Sequence, residues 1–205
     1  FPTVVGYLPY LNGEQVNELD IDIAAVTEDV TYTVIYSPTF VTYKVHHMLQ
    51  NALDDNYVLN STEEKQGLTN SIVADCQKVF EGFTALLYEK VAIAADGSTE
   101  VTVYYDRNYY LLNFDLDGGY GVEPIYARYE TPINDVGTPT KAGYIFKGWT
   151  LNETEASLPK TIPAENRTYK AVWETNSTAK VTIVFWGENP NDEEYSYNKS
   201  SEIYV

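Results

Sequence analysis

Few residues of this 205-residue chain could carry out chemistry, and its one cysteine is the first of them. Cys76 could act as a nucleophile if a histidine served as its base. It follows Ile72 and Val73 at helical spacing, however, which predicts a helix over residues 69–78 with Cys76 on the apolar face. A thiol buried there is expected to stay reduced and to pack as a small hydrophobic group. Because no set of nucleophile, base and orienting group can be assembled, the sequence predicts no enzymatic activity and no cofactor.

The residues that could bind a metal are poorly spaced for that purpose. His46 and His47 are the two histidines, and adjacent residues of a strand point to opposite faces, so their rings cannot share one ion. Asp115 and Asp117 alternate like the first ligands of a calcium loop, but residues 121–123 do not supply the later ligands at the required spacing. The sequence therefore predicts a glycine-rich hairpin turn with exposed acids and no metal site.

Two lysines could take part in a covalent cross-link. Lys44 and Lys180 lie on predicted strands, where a lysine beside a buried acid could form an isopeptide bond with Asn or Asp. A lysine whose stem is buried and whose ammonium group reaches water is the commoner arrangement, and we expect it here. The bond would reduce the mass of the chain by one ammonia or one water.

The aromatic residues could stack against sugar rings. Trp149, Trp173 and Trp186 lie at equivalent or neighbouring strand positions of a repeat instead of clustering together. Such positions are typical of core residues, so the sequence favours packing over a carbohydrate platform.

The composition excludes several classes of partner. The chain has 13 Lys and Arg against 30 Asp and Glu, a formal net charge of −17, which repels nucleic-acid phosphates and anionic lipids. No apolar run approaches the roughly 18 residues of a membrane span. A single cysteine cannot form an internal disulfide. The 19 tyrosines suit half-buried sheet surfaces, so we expect a mainly β protein.

A repeated strand pattern determines the predicted domain organisation. Residues 30–36, 99–105 and 167–173 share one alternating pattern, and their last aromatic residues are 69 and 68 positions apart. Residues 50–57 also recur as residues 188–195, after 138 positions, which is twice 69. A constant period of this length predicts a tandem array of modules.

The period divides the chain into two complete modules and two halves. Residues 1–37 are expected to form the rear half of a module, and residues 178–205 the opening hairpin of a further one. The complete modules are predicted at residues 40–107 and 108–175, joined to the last hairpin by a polar linker at residues 176–178. Each complete module should contain an opening hairpin, a crossing segment and a closing strand, in the same order.

Alternation and turn residues also predict individual elements. Opening strands are expected over residues 41–49, 110–114 and 181–186, and closing strands at the three repeats of the pattern. In the first complete module, residues 85–94 should pair with residues 100–105 in a last hairpin around Asp96-Gly97.

The motifs of the second complete module resemble the Listeria-Bacteroides repeat, the internalin-type B repeat of bacterial surface proteins. The resemblance rests on FDLDGG at residues 114–119, GYIFKGW at residues 143–149 and TYKAVW at residues 168–173. Residues 40–107, with Gly82-Phe83 and the strand at residues 101–106, are more similar to mucin-binding-protein-like repeats. Both resemblances imply tandem β-grasp-like modules with mixed sheets and at most one short helix each.

The resemblance implies a location on the bacterial cell surface and a role as a stalk or adhesin. The family has no shared catalytic residues to carry over. The alternative is a module that binds a host glycoprotein or glycan. An isolated hairpin is marginally stable in water and would expose Val181, Ile183 and Phe185, so we also expect head-to-tail association of copies by strand addition.

Overall fold

The computed structural model describes residues 1–17, 27–176 and 180–204 of the chain. Fourteen strands and no helix occur in these ranges, so the predicted mainly β fold is confirmed. The chain divides into two compact units, residues 1–108 and residues 109–205. In the predicted polar linker, positions 177 and 178 lie outside the described residues.

The first unit begins with a sheet of three antiparallel strands. Strand β1 (Tyr7–Leu11) lies between β2 (Glu14–Gln15) and β3 (Val34–Pro38). Asn12 and Gly13 form the turn between β1 and β2 at φ values of 51° and 89°. Asparagine and glycine are the residues that adopt this left-handed conformation most readily, so the sequence defines the turn locally.

A mixed sheet of four strands forms the body of residues 40–107. Strands β4 (Phe40–Gln50) and β5 (Tyr57–Leu68) form a long antiparallel hairpin. Strand β6 (Phe83–Ala85) pairs antiparallel with β7 (Glu100–Arg107), and β7 pairs parallel with β4. The resulting strand order is β5-β4-β7-β6.

The core of this module lies between the sheet and the segment that crosses it. As alternation predicts, Tyr43, Val45 and His47 share the buried face of β4. The buried apolar residues come from β4, from the crossing segment and from β7: Tyr43, Val45, Val73, Cys76, Ile93, Val101, Val103 and Tyr105.

The helix predicted over residues 69–78 is wrong. The segment is extended, and Ile72 forms an isolated β-bridge with Ala92. The N–H of Val73 donates a hydrogen bond to the carbonyl oxygen of Val91 at 3.0 Å. β-Branched residues have low helix propensity, and pairing with a distant segment outweighs the helical spacing of the apolar residues.

The hairpin predicted between residues 85–94 and 100–105 is present at one end only, where Ala85 at the end of β6 pairs antiparallel with Tyr105. Residues 91–93 do not pair with β7, because they pair with residues 71–73 of the crossing segment instead. The Asp96-Gly97 turn is present, and the N–H of Gly97 donates to the carbonyl oxygen of Ala94 at 3.1 Å. This turn leads into β7 without a hairpin partner.

A mixed sheet of five strands forms the second complete module. In chain order its strands are β8 (Tyr109–Asp115), β9 (Ile125–Arg128), β10 (Tyr144–Leu151), β11 (Thr154–Ala156) and β12 (Arg167–Thr175). Strand β8 pairs parallel with β12, and every other pair is antiparallel. The strand order is β11-β10-β12-β8-β9.

This module has its own hydrophobic core. Its buried residues come from β8, β10, β12 and the loops between them: Leu112, Phe114, Val122, Trp149, Ile162, Tyr169 and Ala171. The ring centroids of Phe114 and Trp149 lie 5.1 Å apart.

Both modules use one strand order. An opening strand (β4 or β8) lies between its hairpin partner and a parallel closing strand (β7 or β12), and a strand of the crossing segment (β6 or β10) pairs with the closing strand. This is the order expected of a β-grasp-like module, with an extended crossing segment in place of a helix.

The second unit ends with a hairpin. Strands β13 (Lys180–Glu188) and β14 (Tyr195–Tyr204) pair antiparallel over their length. Within the described ranges no third strand pairs with either of them.

The closing strand predicted over residues 30–36 is correct only in its second part. Residues 30–33 are not in a strand, and β3 begins at Val34. In the second complete module the equivalent residues 167–170 pair with β8. No described strand offers residues 30–33 such a partner, and a strand needs a neighbouring backbone to bind its N–H and C=O groups.

Candidate functional site

The hairpin β13–β14 repeats the turn of β4–β5 at an offset of 138 residues. The N–H of Asn51 donates to the carbonyl oxygen of Asn56 at 2.8 Å, and the N–H of Asn189 donates to that of Glu194 at 2.9 Å. Each turn also has an aspartate three residues after the asparagine that accepts a hydrogen bond from the asparagine side chain. The two turns are therefore built in the same way.

The two hairpins also share a β-bulge at the same offset. The pairing register shifts after His47 and after Phe185, and the residues left without a directly opposed partner are Asn60 and Asn198. A bulge increases the local twist of a strand and is a specific feature of its sheet. The hairpin β13–β14 thus shares both the turn and the bulge of the opening hairpin β4–β5.

One face of β13 is exposed where the same face of β4 is buried. The three side chains of β4 on this face have exposed fractions of 1%, 0% and 0%: Tyr43, Val45 and His47. The equivalent side chains of β13 have exposed fractions of 44%, 39% and 43%: Val181, Ile183 and Phe185. An apolar strand face beside an unpaired edge is a surface suited to binding another strand.

The N-terminal sheet repeats the rear half of the second complete module at an offset of 137 residues. Strand β1 pairs with β3 as β10 pairs with β12. Beyond the strands, the N–H of Thr39 donates to the carbonyl oxygen of Gly6 at 2.8 Å, and the N–H of Asn176 donates to that of Gly143 at 2.9 Å. The Gly-Tyr dipeptides at residues 6–7 and 143–144 are the sequence signal of this equivalence.

Among the described residues, no strand pairs beside residues 30–33 as β8 pairs beside the equivalent residues of β12. Tyr169 of β12 is 1% exposed, whereas its equivalent Tyr32 is 44% exposed. In the part of the chain that the structure describes, the hairpin β13–β14 has no parallel closing strand, and the N-terminal sheet has no parallel opening strand. We call these two surfaces the complementary halves.

The histidines lie on opposite faces of β4, as predicted. The Nδ1 atom of His46 lies 2.9 Å from the hydroxyl oxygen of Thr62. The ring of His47 is buried, with Nδ1 2.9 Å from the hydroxyl oxygen of Tyr105 and Nε2 3.4 Å from Oε2 of Glu63. Within the described ranges no group of three or more His, Cys, Asp or Glu side chains could hold a metal ion.

The surroundings of His47 favour its neutral form. Burial is the main cause that lowers the pKa of His47 below its ordinary value, and Lys78 adds to this effect. Lys78 also forms an ion pair with Glu63 at 3.0 Å, and this contact is the main cause that lowers the pKa of the Glu63 carboxyl. The backbone N–H of Lys78 donates to the hydroxyl of Tyr105 at 2.9 Å, so this hydroxyl contacts both Lys78 and the ring of His47.

The aspartates of the second module form a turn. The N–H of Asp117 donates to Oδ1 of Asp115 at 3.0 Å, and Asp117 has a φ of 48°. Lys141 pairs with Oδ2 of Asp117 at 3.1 Å.

Cys76 is buried and free, as predicted, although its segment is extended. Its N–H donates to the hydroxyl of Tyr88 at 2.8 Å. Burial raises the pKa of Tyr88 to about 12, so this hydroxyl stays neutral.

The two lysines considered for a cross-link and the three tryptophans differ in burial and in their contacts. Lys44 is exposed, and Lys180 forms an ion pair with Glu202 across the hairpin. Trp149 is buried and Trp173 is half-buried, but the predicted core position of Trp186 is wrong, because its side chain is 59% exposed.

The second module also has an exposed aromatic pair that sequence reasoning missed. The rings of Tyr109 and Tyr126 are stacked with centroids 5.3 Å apart, and both side chains are exposed. The guanidinium carbon of Arg128 lies 5.7 Å from the ring centroid of Tyr109. The signal was present as two tyrosines on neighbouring strands, but the strand register that brings them together is not local.

Parts of the chain are similar in sequence to known bacterial proteins. Two proteins of Evansella cellulosilytica match the chain, and both have provisional names only. One, named a Gly-rich membrane protein, is 36% identical over 85 residues, or 39% of this chain and 10% of its own length. The other, named a membrane protein, is 34% identical over 76 residues, or 36% of this chain and 11% of its own length. The chain spans about a tenth of the length of these curated relatives.

The described residues of this chain contain no helix that is long and apolar enough to cross a membrane.

A family model matches part of the chain: the Listeria-Bacteroides repeat domain aligns with residues 110–172. These residues lie within β8 to β12 and include the buried Trp149 and Tyr169. The repeat family predicted from the sequence motifs is thereby confirmed for the second complete module.

Proposed function

We propose that this chain is a non-enzymatic repeat segment of a bacterial cell-surface protein, where it acts as a stalk or adhesin outside the cell. The observation that carries the proposal is one strand order used by two modules with separate cores, beside two further half-modules of the same kind. Repeats of this type extend a chain by adding similar units. The match to a repeat domain and the membrane-protein names of the relatives support a surface location.

Within this function, the complementary halves suit head-to-tail association of copies by strand addition. A head-to-tail contact of this kind is open-ended, because the first and the last copy of an assembly each keep one half free. The mass of the assembly in solution should then rise over about a hundredfold range of concentration. Sedimentation velocity of the full chain measures this, and deletion of residues 178–205 should leave a monomer.

A second candidate function is binding of a host glycan or glycoprotein. The stacked pair Tyr109 and Tyr126 favours it, because exposed aromatic faces can stack on sugar rings. The similarity of residues 40–107 to mucin-binding-protein-like repeats points the same way.

A glycan array and a pull-down with host glycoproteins separate the two functions. A stalk segment should bind neither above background. Specific binding that is lost in Tyr126→Ala, with Tyr120→Ala as the exposed-tyrosine control, would favour the second function and count against a purely structural one.

A further inference from the structure

The register in which the complementary halves meet can be derived from the complete modules. We infer that residues 30–33 of one copy add to β13 of a second copy as a parallel strand, with Tyr32 opposite Ile183. The inference rests on the proposed head-to-tail association and specifies its partner segment, its direction and its register.

The first complete module supplies one derivation of the register. Val45 of β4 lies opposite Val101 of the parallel strand β7. The equivalent of Val45, at an offset of 138, is Ile183, and the equivalent of Val101 in the N-terminal half, 69 positions earlier, is Tyr32. The pair Val45 and Val101 therefore predicts the pair Ile183 and Tyr32.

The second complete module supplies an independent derivation. Phe114 of β8 lies opposite Tyr169 of β12. Shifting Phe114 by 69 positions gives Ile183, and shifting Tyr169 back by 137 positions gives Tyr32. Two modules with different sequences and turns thus give the same register.

The secondary structure and the exposure of both halves agree with an unfilled pairing site at this register. Residues 30–33, which would form the new pairs, are the part of the repeated closing-strand pattern that is not in a strand. Tyr32 and Ile183 are both exposed, whereas Val45, Val101 and Tyr169 are at most 3% exposed in the complete modules. Pairing would satisfy backbone N–H and C=O groups at the edge of β13 around Ile183 and would bring Tyr32 beside its exposed apolar face.

A second copy of this chain is the occupant that fits best. Residues 1–39 already carry the β1–β3 pairing that accompanies a closing strand in the second complete module. An unrelated edge strand would bring neither this pairing nor the alternation of Tyr32 and Val34 toward the core.

Engineered disulfides between two chains test the register. The pair Lys44 and Glu100 predicts that Thr31 and Thr182 face each other on the solvent side, where a cysteine disturbs no core. A mixture of T31C chains and T182C chains should form a disulfide-linked dimer under mild oxidation. If the register were shifted by two residues, one Cα atom would lie roughly 6.6 Å further along its strand, in addition to the spacing of about 4.8 Å between the strands. The two Cα atoms would then be too far apart for a disulfide.

Matched variants control for nonspecific oxidation. The mixture of T33C and T182C should stay unlinked, and the mixture of T33C and V184C, which restores the register, should link again. Each variant alone should stay unlinked. Circular dichroism would verify that all variants keep the strand content of the native chain.

Three results would overturn the inference, and they differ in what else they overturn. If the native chain associates but T33C links to T182C in preference to T31C, the register is wrong and the association remains. If a chain carrying both T31C and T182C links only within itself, the second copy is the wrong partner. If the native chain stays monomeric at every concentration, the proposed association fails together with the inference.

Discussion

At the scale of single residues, the buried ring of His47 makes the first complete module sensitive to pH. Its pKa is lower in the folded protein than in the unfolded chain, so the unfolded chain binds the proton more tightly. The contribution of His47 to the free energy of unfolding should be constant above the ordinary histidine pKa of 6.5. It should decrease below that pH by up to about 1.4 kcal/mol per pH unit, until the lower pKa of the folded state is reached.

Two substitutions test this pH dependence. In His47→Phe the decrease between pH 6.5 and pH 4.5 should disappear, and Phe185 at the equivalent position shows that the repeat accepts this residue. In the control His46→Gln it should remain. Hydrogen exchange mass spectrometry along a urea series, read in peptides of residues 40–107, measures the effect, with residues 109–175 as the internal reference. An unchanged decrease in His47→Phe would contradict the role of His47.

The burial of Cys76 predicts slow reaction of its thiol in the folded protein. A thiol reagent at neutral pH should label Cys76 only as fast as the module opens, and rapidly in denaturant. The exposed cysteine of T31C provides the fast reference in the same chain. Equal labelling rates for the two cysteines in the native state would contradict the burial.

At the scale of elements, the separate cores predict that the two complete modules lose stability independently. Ile93→Ala should lower the free energy of unfolding of residues 40–107 by about 2–5 kcal/mol, and Leu112→Ala should do so for residues 109–175. Each substitution removes a fully buried aliphatic side chain, so the two variants are controls for each other. The same exchange experiment would show coupling if either substitution changed the protection of both modules.

The strands that alternation predicts are largely correct, and the crossing segment of the first module is not. Opening strands predicted at residues 41–49, 110–114 and 181–186 lie within β4, β8 and β13, because alternation and turn residues are local signals. The crossing segment of the first module pairs residues 70–73 with residues 91–93, and no local pattern encodes that pairing.

The candidate site was predicted in outline only. The exposed face of β13 could be predicted from the sequence, because alternation places Val181, Ile183 and Phe185 on one face of an isolated hairpin. The register between the halves could not, because it depends on the offsets of 137 and 138 residues between paired strands that become visible once β1 and β3 are seen to pair like β10 and β12. The bulges at Asn60 and Asn198 likewise have no local sequence signal.

At the scale of the whole molecule, charge should oppose association. Residues 1–39 contain six Asp and Glu and no Lys or Arg, and residues 180–204 contain five acids and two lysines. Raising the salt concentration from about 0.01 M to about 1 M shortens the screening length from about 30 Å to about 3 Å. Association measured by sedimentation should therefore strengthen with salt, while the chain lacking residues 178–205 should stay monomeric throughout. Weaker association at high salt would indicate contacts dominated by opposite charges.

The parallel pairing of opening and closing strands has a consequence for how a module bears tension. In residues 40–107, a pull applied at Phe40 and Arg107 acts along two adjacent parallel strands in opposite directions, so their hydrogen bonds are loaded in shear and resist together. The free hairpin differs, because Lys180 and Tyr204 are opposite each other at its open end, and a pull there would separate one pair at a time. Docking of a closing strand on β13 would add a parallel pair, through which tension passes from one copy to the next in shear.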